Sequence, residues 1–403
     1  MTSKKTGFRF AASLALITVL GPSGIDMYLA SMPEMANELG SSYARIQLTL
    51  TVFLLAMGAG QLVFGPLIDA FGRRRPLIAG VAMFVLTSFW AASAASIDML
   101  LTARFFQGMA AALTLVVALS TVRDVSQGTQ AAKLFALLMT IEGLAPVIAP
   151  AVGGYVGAHF GWRGVMLVLA AMGIIACVNT LLNLPETLPL EKRTSLRPAE
   201  IFRTYCRIAC DRKFLLPALA LSAAFFFLFA YIGGAALVYQ SHYGLPPDQF
   251  GLVFGGTGVA VLFGALASSR LVTRFGVGRL AVAGATAMTA GALVAAVGAY
   301  GGLGLPLIVA GMFVALFGLG IAESTLMSMA MSSQQTSIGS TAALLGAFQL
   351  VISSAATPLA GSLAEQGAVE WLVSLALFGM VVQILTVMGA RHAPLDAHGL
   401  AGH

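Results

Sequence analysis

The chain has 403 residues, of which 58% are hydrophobic and only 9% are charged. Soluble domains carry about 25% charged residues, so this composition excludes an ordinary soluble domain and indicates an integral membrane protein. The formal net charge of +6 does not indicate a nucleic-acid surface, because the basic residues are confined to loops on one side of the predicted bundle. The residue alternation that is typical of an outer-membrane β-barrel is absent.

Hydropathy predicts an all-α membrane protein with twelve helical spans of about 20 residues, the length that crosses a bilayer. Six spans form an N-terminal half at 1–184 and six form a C-terminal half at 214–403, joined by a polar linker at 185–213. The linker is expected to form an amphipathic helix on the membrane surface from about Pro198 to Arg207. Spans 1 to 12 are predicted at 9–32, 46–67, 77–97, 99–122, 133–158, 164–184, 214–240, 248–272, 278–299, 304–330, 339–363 and 370–390.

The distribution of lysine and arginine predicts the orientation of the chain. Positive charge collects in cytoplasmic loops, and one side of the predicted bundle carries only Arg45 and Arg163. Both termini and the linker lie on the other side and are therefore expected in the cytoplasm. The basic residues of that side are Lys4, Lys5, Arg9, Arg73, Arg74, Arg75, Arg123, Lys133, Lys192, Arg193, Arg197, Arg203, Arg207, Arg212, Lys213, Arg270, Arg274, Arg279 and Arg391.

An internal repeat supports the division into halves. At an offset of 204 residues Asp69 aligns with Thr273, so the second copy has lost this carboxylate. Parallel six-span repeats about an axis normal to the membrane predict a substrate site near the midplane, between halves that rock around it. The matching pairs include Phe71-Gly72 with Phe275-Gly276, Gly60 with Gly264, Leu67 with Leu271, Arg75 with Arg279, and Gly80 with Gly284.

A short arginine-rich hairpin joins spans 2 and 3. Three consecutive arginines, Arg73 to Arg75, cannot enter hydrocarbon cheaply, so the stretch is a polar turn between two membrane helices. Asp69 lies at the C-terminal end of its helix, where the dipole is already negative, and Arg73 one turn on is its expected partner. A plain positive-inside turn would need the arginines alone. The stretch resembles the loop 2–3 signature of the major facilitator superfamily, G-x-L-a-D-r-x-G-r-[RK]-x, through Gly65, Leu67, Asp69, Gly72 and Arg73.

This resemblance implies a cytoplasmic latch built from Gly65, Asp69, Gly72 and Arg73 together with Asp124. In the superfamily an acidic residue at the end of span 4 commonly joins the charges of loop 2–3. A surface ion pair contributes only ~0–1 kcal/mol, which suits a latch that opens in every transport cycle. The alternative for Asp124 is a solvated helix end.

Four charged residues fall inside predicted spans: Asp26, Arg104, Glu142 and Glu323. A central Asp or Arg costs at least ~2.5–3.5 kcal/mol on insertion scales, so each of the four is a candidate for proton coupling. No histidine lies inside a predicted span. A proton that crosses the bundle must therefore be carried by a carboxyl group.

Asp26 lies in a glycine- and proline-rich stretch of span 1, whose freed backbone groups are tolerated only against protein or a wet cavity. The run from Asp26 to Leu29, with Pro33, resembles the D-M-Y-L-P-x-x-P signature of the bicyclomycin/chloramphenicol resistance (Bcr/CflA) branch of twelve-span drug:proton antiporters. Ala30 replaces the first proline. The resemblance implies that Asp26 carries the proton. The alternative is an aspartate at the external helix end in headgroup water.

Arg104 lies in a stretch of span 4, Leu101 to Gly108, that resembles the family's fourth-span motif R-x-x-q-G. The resemblance implies a role in proton coupling, exerted through Asp26. The alternative is an arginine that snorkels to the external face.

Span 5 carries two prolines and a glycine pair, Pro146, Pro150, Gly153 and Gly154, which predict a kinked and closely packed helix. The stretch resembles the antiporter motif that ends G-P-x-x-G-G, with alanine in place of the first glycine. The family uses this motif in exporters rather than importers. Glu142 lies outside the family pattern and would be a second protonatable group or a ligand for a cationic substrate, unless it is an interfacial glutamate.

Aromatic residues cluster in span 7, among them Phe226 and Tyr231. Aromatic and methionine-rich surfaces suit promiscuous binding of flat apolar drugs. Together with Asp26, Tyr28 and Glu323 they are the residues expected to line a substrate cavity. A lipid-facing stripe is the alternative, because all-apolar spans show no usable periodicity.

These features predict a bacterial inner-membrane exporter that exchanges external protons for a cytoplasmic drug-like molecule, with phenicol- or bicyclomycin-type antibiotics plausible substrates. The alternative is an exporter of an endogenous metabolite or self-made antibiotic, or a nutrient permease of the same fold. No nucleotide-binding signature is present and the three cysteines lack metal or redox spacing. We therefore expect no enzyme activity, no cofactor, no metal and no nucleic-acid partner, and a monomer driven by protons.

Overall fold

The structure is a computed structural model that describes residues 8–126, 128–193, 195–333 and 338–392. These residues form helices and no strands, which confirms the all-α prediction. Eleven of the helices are long and apolar enough to cross a membrane. Lys4 and Lys5 lie outside the described residues, as do the side chains of Arg9, Lys133, Lys192 and Arg391. The cytoplasmic location of both termini therefore stays a prediction from the sequence.

Span 1 is interrupted directly after Asp26. Helices Phe8–Thr18 and Leu20–Asp26 are followed by a 3-10 turn at Leu29–Ser31, and helix Met32–Glu38 completes the crossing. Glycines and a proline in this stretch weaken a continuous helix, while Pro33 in the first turn of the last helix is tolerated because its missing N–H has no helical partner there. The break consists of two buried turn residues, Met27 and Tyr28, whose backbone angles stay close to helical values.

Spans 2, 3 and 4 are the helices Tyr43–Phe71, Arg74–Ala92 and Ile97–Val125. Span 2 ends at Gly72, whose φ of 90° is strained for residues with a Cβ but costs glycine little. The chain can therefore reverse in two residues and begin span 3 at Arg74.

Spans 5 and 6 lie in one helical run, Gly128–Asn183, that turns at Gly161, where φ is 67°. The 44 apolar residues Thr140–Asn183 would extend about 66 Å as one helix, roughly twice the hydrocarbon thickness. The run therefore crosses twice, at 128–160 and 162–183. Counted in this way, the described helices give the twelve predicted spans.

The linker contains a 3-10 turn at Leu190–Lys192 and a helix at Pro198–Ala209, which we call the linker helix. Span 7 is Arg212–Leu237, extended by a π-helical turn at Val238–His242. Span 11 is divided after Ser354. Spans 8 to 12 are Pro247–Phe275, Val277–Tyr300, Leu305–Ser332, Ile338–Ser354 continued by Ala356–Gln366, and Ala368–His392.

The two halves repeat the same close helix contacts. Gly60 of span 2 packs on Ala112 of span 4 without room for a Cβ, and Gly264 of span 8 packs on Phe317 of span 10 in the same way. The fold is therefore pseudo-symmetric, with small residues letting backbones approach. Two further pairs at this offset are Gly80 with Gly284, which face spans 4 and 10, and Gly72 with Gly276, which both end a span with positive φ.

The halves meet along two seams, spans 2 with 11 and spans 5 with 8. We call the end of the bundle that carries loop 2–3 the 2–3 end, and the opposite end the 1–2 end. At the 1–2 end, hydrogen bonds tie the halves together. They join Gln47 Nε2 to the Gly233 carbonyl at 2.8 Å, Gln240 Nε2 to the Ala30 carbonyl at 2.8 Å, Thr51 Oγ1 to Thr357 Oγ1 at 2.9 Å, and the Ala44 N–H to Glu365 Oε1 at 3.1 Å.

Candidate functional site

Asp26 is a buried carboxyl group at the break in span 1. Its exposed fraction is 4%, which does not fit an aspartate in headgroup water. Among the described residues it belongs to no ion pair. A carboxylate buried without a cation carries a large desolvation cost, which makes Asp26 a candidate functional residue.

Arg104 is fully buried, with 0% exposed surface, which excludes snorkelling to the surface. Its Nη1 donates to Gln107 Oε1 at 2.6 Å and its Nη2 donates to the Gly24 carbonyl at 2.7 Å. The guanidinium also lies 4.3 Å from the ring centres of Tyr28 and Phe53, a favourable cation–π geometry.

This environment changes the expected link between Arg104 and Asp26. The guanidinium donates to the backbone carbonyl of Gly24, two residues before Asp26, and it forms no ion pair with Asp26 in the described part of the chain. Because the orphan carbonyls of a broken helix need donors, Arg104 stabilises the shape of the break. This hydrogen bond connects Arg104 to the backbone two residues before Asp26.

Tyr28 belongs to the same buried network. Its hydroxyl lies 3.2 Å from Thr49 Oγ1, and the chain of contacts continues on the other side, where Gln107 Nε2 donates to Ser88 Oγ at 2.7 Å. Tyr28 has no exposed surface. The expectation that its side chain lines a substrate cavity does not fit this packing, because the ring faces the Arg104 guanidinium.

The motif of span 5 packs directly on the Asp26 region. Gly153 lies so close to the Met27 carbonyl that a Cβ would not fit, and Gly154 lies against the Pro247 carbonyl of span 8. One glycine therefore faces span 1 of its own half and its neighbour faces the other half. Span 5 is thus in contact with both the residue that follows Asp26 and the start of span 8.

The two prolines of the motif face a glycine stripe on span 8. Gly251 packs on the Pro150 carbonyl, and Gly258 is positioned so that a Cβ would lie 3.1 Å from the Pro146 carbonyl. Pro150 has no N–H, so the Pro146 carbonyl has no helical donor. The seam thus places backbone carbonyls of span 5 against small residues of span 8, which permits close packing.

Glu142 and Glu323 approach the same part of span 8 from opposite halves. Gly143 packs near Leu262, and Gly320, one turn before Glu323, packs on the Val261 carbonyl. The two carboxyl groups lie within electrostatic range of each other. Glu142 Oε1 is buried and has no hydrogen-bond partner, which argues against an interfacial glutamate.

At the 2–3 end, Arg73 connects the acidic residues of spans 2 and 4. Its Nη1 donates to Asp69 Oδ1 at 2.6 Å and its Nε donates to Asp124 Oδ2 at 2.9 Å. Burial alone would lower the pKa of Arg73, but the hydrogen bonds and charges of Asp124 and Asp69 outweigh it and raise the pKa. The geometry is that of the latch implied by the resemblance, with Gly72 providing the turn and Gly65 leaving open space.

Glu186 is a further member of this cluster that the sequence reasoning missed. Its carboxylate accepts from the backbone N–H groups of Arg73 at 2.8 Å and Arg74 at 3.2 Å, at the start of span 3. Burial alone would raise the pKa of Glu186, but the N–H donors of Arg73, Leu188 and Arg74 and the Arg193 guanidinium outweigh it and lower the pKa. The signal in the sequence is a glutamate between Pro185 and Pro189 at the start of the linker.

A cavity of about 890 Å³ opens beside this cluster at the 2–3 end. It lies between spans 2, 4 and 11 and is bordered by the linker helix. The polar side chains on its wall include Gln61, Ser120, Arg123, Thr204 and Tyr205. The cavity at this end is thus lined by polar residues and by charges of both signs, while hydrogen bonds join the halves at the other end.

The aromatic residues of span 7 have two different environments. Phe226 is partly exposed and packs edge-on to Phe378 of span 12, with ring centres 5.0 Å apart. Tyr231 is buried, stacks on Phe254 at 5.3 Å, and its hydroxyl lies 2.9 Å from Thr257 Oγ1. The expectation that Tyr231 lines the cavity does not fit this packing, because the ring lies in the core of the second half.

Comparison with known proteins agrees with this architecture. The family model described as Major Facilitator Superfamily matches residues 14–358. A bicyclomycin resistance protein homolog of Haemophilus influenzae is 34% identical over 68% of this chain and 69% of its own length, and a chloramphenicol resistance protein of Pseudomonas aeruginosa is 30% identical over 74% and 71%. An uncharacterised MFS-type transporter of Bacillus subtilis, YdgK, is 35% identical over 93% and 96%.

Among solved structures, a bacterial homolog of the human lysosomal transporter Spinster, in an inward-facing and unoccupied conformation, superposes with a TM-score of 0.72. It shares 16% identity and covers 96% of this chain and 98% of its own, so the likeness concerns the fold. The relatives named for bicyclomycin and chloramphenicol resistance confirm the resemblance found in the sequence. The chain is therefore a multi-pass membrane transporter, not an enzyme, and it belongs to the major facilitator superfamily.

Proposed function

We propose that the protein is a proton-coupled exporter of drug-like small molecules, phenicol- or bicyclomycin-type antibiotics among them, that acts as a monomer in the bacterial inner membrane. The observation that carries this proposal is the position of Asp26. A buried carboxyl group without a cationic partner lies at the break in span 1, directly beside the glycine of span 5 that packs on Met27.

The proposed cycle uses Asp26 as the proton carrier. When the site faces outside, Asp26 takes a proton; when it faces the cytoplasm, the proton leaves and substrate binds. A proton moving inward gains ~2.3 kcal/mol per 100 mV of membrane potential, so one or two protons can drive uphill export of a neutral molecule. The halves 1–184 and 214–403 rock about the site as units, and the 2–3 latch opens and closes with them.

The membrane orientation that we assume for the chain follows from the positive-inside rule. With loop 2–3 and the linker in the cytoplasm, the cavity at the 2–3 end faces the cytoplasm, and the hydrogen-bonded 1–2 end faces outward. An exporter that waits for cytoplasmic substrate would have this arrangement.

The charges at membrane depth favour neutral or cationic substrates over anions. Three of the intramembrane charges are acidic, and the single cation among the four candidates, Arg104, has no exposed surface. An anionic substrate that reaches the depth of these four groups would therefore meet carboxyl groups, and Arg104 would not be available to it. The names of the drug-resistance relatives support small neutral antibiotics as the first compounds to test.

A drug-susceptibility panel in an efflux-deficient host tests the proposal. Cells that produce the protein should tolerate higher concentrations of at least one phenicol or bicyclomycin-type compound, and this tolerance should disappear when the proton gradient is collapsed. Normal sensitivity to the whole panel, with the protein present in the membrane, would contradict drug export and favour an endogenous substrate. Tolerance that survives loss of the proton gradient would contradict proton coupling.

A further inference from the structure

The linker helix, Pro198–Ala209, docks on the kink of span 2. Pro66 lies inside span 2 and has no N–H, so the carbonyl of Leu62 four residues earlier lacks its helical donor. The hydroxyl of Tyr205 donates to that carbonyl at 3.2 Å. Ile208, one turn further on, is fully buried. A specific hydrogen bond and an apolar anchor therefore fix one face of the helix against the bundle.

This contact places the linker helix at the level of the membrane surface. Span 2 has 29 residues, about 43 Å, so it extends roughly 6–7 Å beyond a 30 Å hydrocarbon layer at each end. Leu62 lies nine residues before the end of span 2 at Phe71, about 13 Å along the helix axis. Leu62 thus lies about 6–7 Å inside the boundary between hydrocarbon and headgroups. This depth is about the length of a tyrosine side chain, so a linker helix whose Tyr205 hydroxyl contacts the Leu62 carbonyl lies close to that boundary.

The other face of the linker helix is apolar and basic. Phe202 has 70% of its surface exposed, and Arg203 and Cys206 beside it are also exposed. Two residues after the helix ends, span 7 begins with exposed Arg212 and Lys213. An exposed phenylalanine next to basic side chains at headgroup depth is the pattern of a helix that lies in the membrane interface.

We propose that the outer face of the linker helix binds anionic phospholipid headgroups. Arg203, Arg212 and Lys213 would contact the phosphates, and Phe202 would insert between the acyl chains at their upper end. Charge complementarity favours anionic lipid as the occupant, because a basic residue close to an anionic surface contributes about 1 kcal/mol. The inner face of the same helix borders the cavity through Ile201, Thr204 and Tyr205, so a bound lipid would hold the wall of the cavity in place.

Cys206 provides a native reporter, since it lies one turn from Phe202 on the same face. A variant that retains only this thiol (Cys177→Ala, Cys210→Ala) is reconstituted in nanodiscs, which expose both membrane faces, made of phosphatidylcholine alone or of an equal mixture with phosphatidylglycerol. The rate of alkylation by a neutral, water-soluble maleimide is measured in both. We expect slower alkylation in the anionic discs by about fivefold, the ratio that corresponds to about 1 kcal/mol.

Arg203→Glu in the same background should remove this protection. The matched control is Arg270→Glu, an exposed basic residue at the same end of the bundle but not on the linker helix, which should leave the protection unchanged. Arg203→Gln gives a milder variant, and the melting temperature of each protein verifies folding. Equal alkylation rates in both lipids, or equal effects of Arg203→Glu and Arg270→Glu, would overturn the proposal. Neither result depends on transport, so the proposed export function is tested separately.

Discussion

The turn between spans 2 and 3 and the turn between spans 8 and 9 share a backbone and differ in charge. Both follow a phenylalanine and reverse at a glycine of positive φ, 90° at Gly72 and 77° at Gly276. In the first turn Arg73 connects Asp69 and Asp124. In the second, the position of Asp69 is occupied by Thr273, whose hydroxyl donates to the Arg270 carbonyl of its own helix at 3.4 Å.

The same contrast holds at membrane depth. The positions of Asp26 and Arg104 correspond, 204 residues later, to Ala230 and Ile308, which are fully buried in the second half. Both halves thus contain close-packed small residues and glycine turns, whereas among the described residues the buried aspartate and the Asp69–Arg73–Asp124 cluster occur in the first half. Glu323 is the exception, because its counterpart in the first half is Leu119. We infer that proton coupling resides in the first half.

The largest effect is expected from Asp26→Asn, which keeps the size and hydrogen-bonding capacity of the side chain but cannot carry a proton. Uphill drug accumulation in everted vesicles should fall to the level of vesicles without the protein. Drug binding should persist, and its pH dependence between about 5 and 8 should flatten because the titrating group is gone. Asp98→Asn, which removes an exposed ion pair with Arg45, is the control and should transport normally. Uphill accumulation by Asp26→Asn at the wild-type rate would assign the proton to another carboxyl group.

A smaller effect is expected from Asp69→Asn in the latch. The change removes one of the two carboxylates on Arg73 and should lower the transport rate by about fivefold, equivalent to about 1 kcal/mol in the balance between access states. Thr273→Asn places the same residue at the matching position of the second half and should leave transport near the wild-type rate. Equal rates for the two variants, with both proteins in the membrane, would mean that the asymmetry of the two turns has no role in transport.

Arg104→Met tests whether the first half needs its buried cation for folding or for coupling. The second half has an isoleucine at this position, so the variant should still fold. Its free energy of unfolding should fall by about 1–3 kcal/mol, because the Gly24 carbonyl and the Gln107 oxygen lose their donor. The melting temperature in detergent measures this cost. Proton-coupled transport should fall more than stability, because the break in span 1 loses a donor that shapes it. A variant with normal coupling would show that Arg104 is only structural.

The smallest effect is expected from Glu186→Gln, and it is measured as a change in melting temperature at different pH values. The pKa of Glu186 is held below its ordinary value of 4.5, so the folded state binds this proton less readily than the unfolded state. The contribution of Glu186 to the free energy of unfolding is therefore complete above about pH 4.5 and is lost as the pH falls through the folded-state pKa. The wild-type protein should be more stable than the variant at neutral pH, by a melting-temperature difference of about 1–3 °C, and this difference should shrink on acidification. A difference that is constant with pH would contradict the charged role of Glu186.

The sequence predicted the features that depend on residues close to each other in the chain. Spans follow from hydropathy and length, and the latch partners Asp69 and Arg73 lie one turn apart on adjoining elements. Arg73 and Asp124 could be joined only through the family resemblance, since 51 residues separate them. The double crossing of Gly128–Asn183 was also predictable, because its length exceeds one bilayer.

The sequence could not supply the contacts that depend on side-chain direction. Asp26 and Arg104 are both charged and buried, yet Arg104 donates to a carbonyl two residues from Asp26, a choice set by the break in span 1. Nor does the sequence show that the rings of Tyr28 and Tyr231 are buried inside the bundle. All-apolar spans give no periodicity from which the direction of a side chain can be read. Tyr205 and Pro66 could have been connected only by asking which carbonyl the proline leaves without a donor.

The most direct test of coupling in the first half is drug-driven proton flux in proteoliposomes. A pH-sensitive dye is enclosed, an outward drug gradient is imposed, and the rate of proton movement is compared for the wild type, Asp26→Asn, Glu142→Gln and Glu323→Gln. We predict that Asp26→Asn abolishes the flux and that Glu323→Gln, in the second half, retains it. Retained flux in Asp26→Asn together with loss in Glu323→Gln would place proton coupling in the second half and contradict the account.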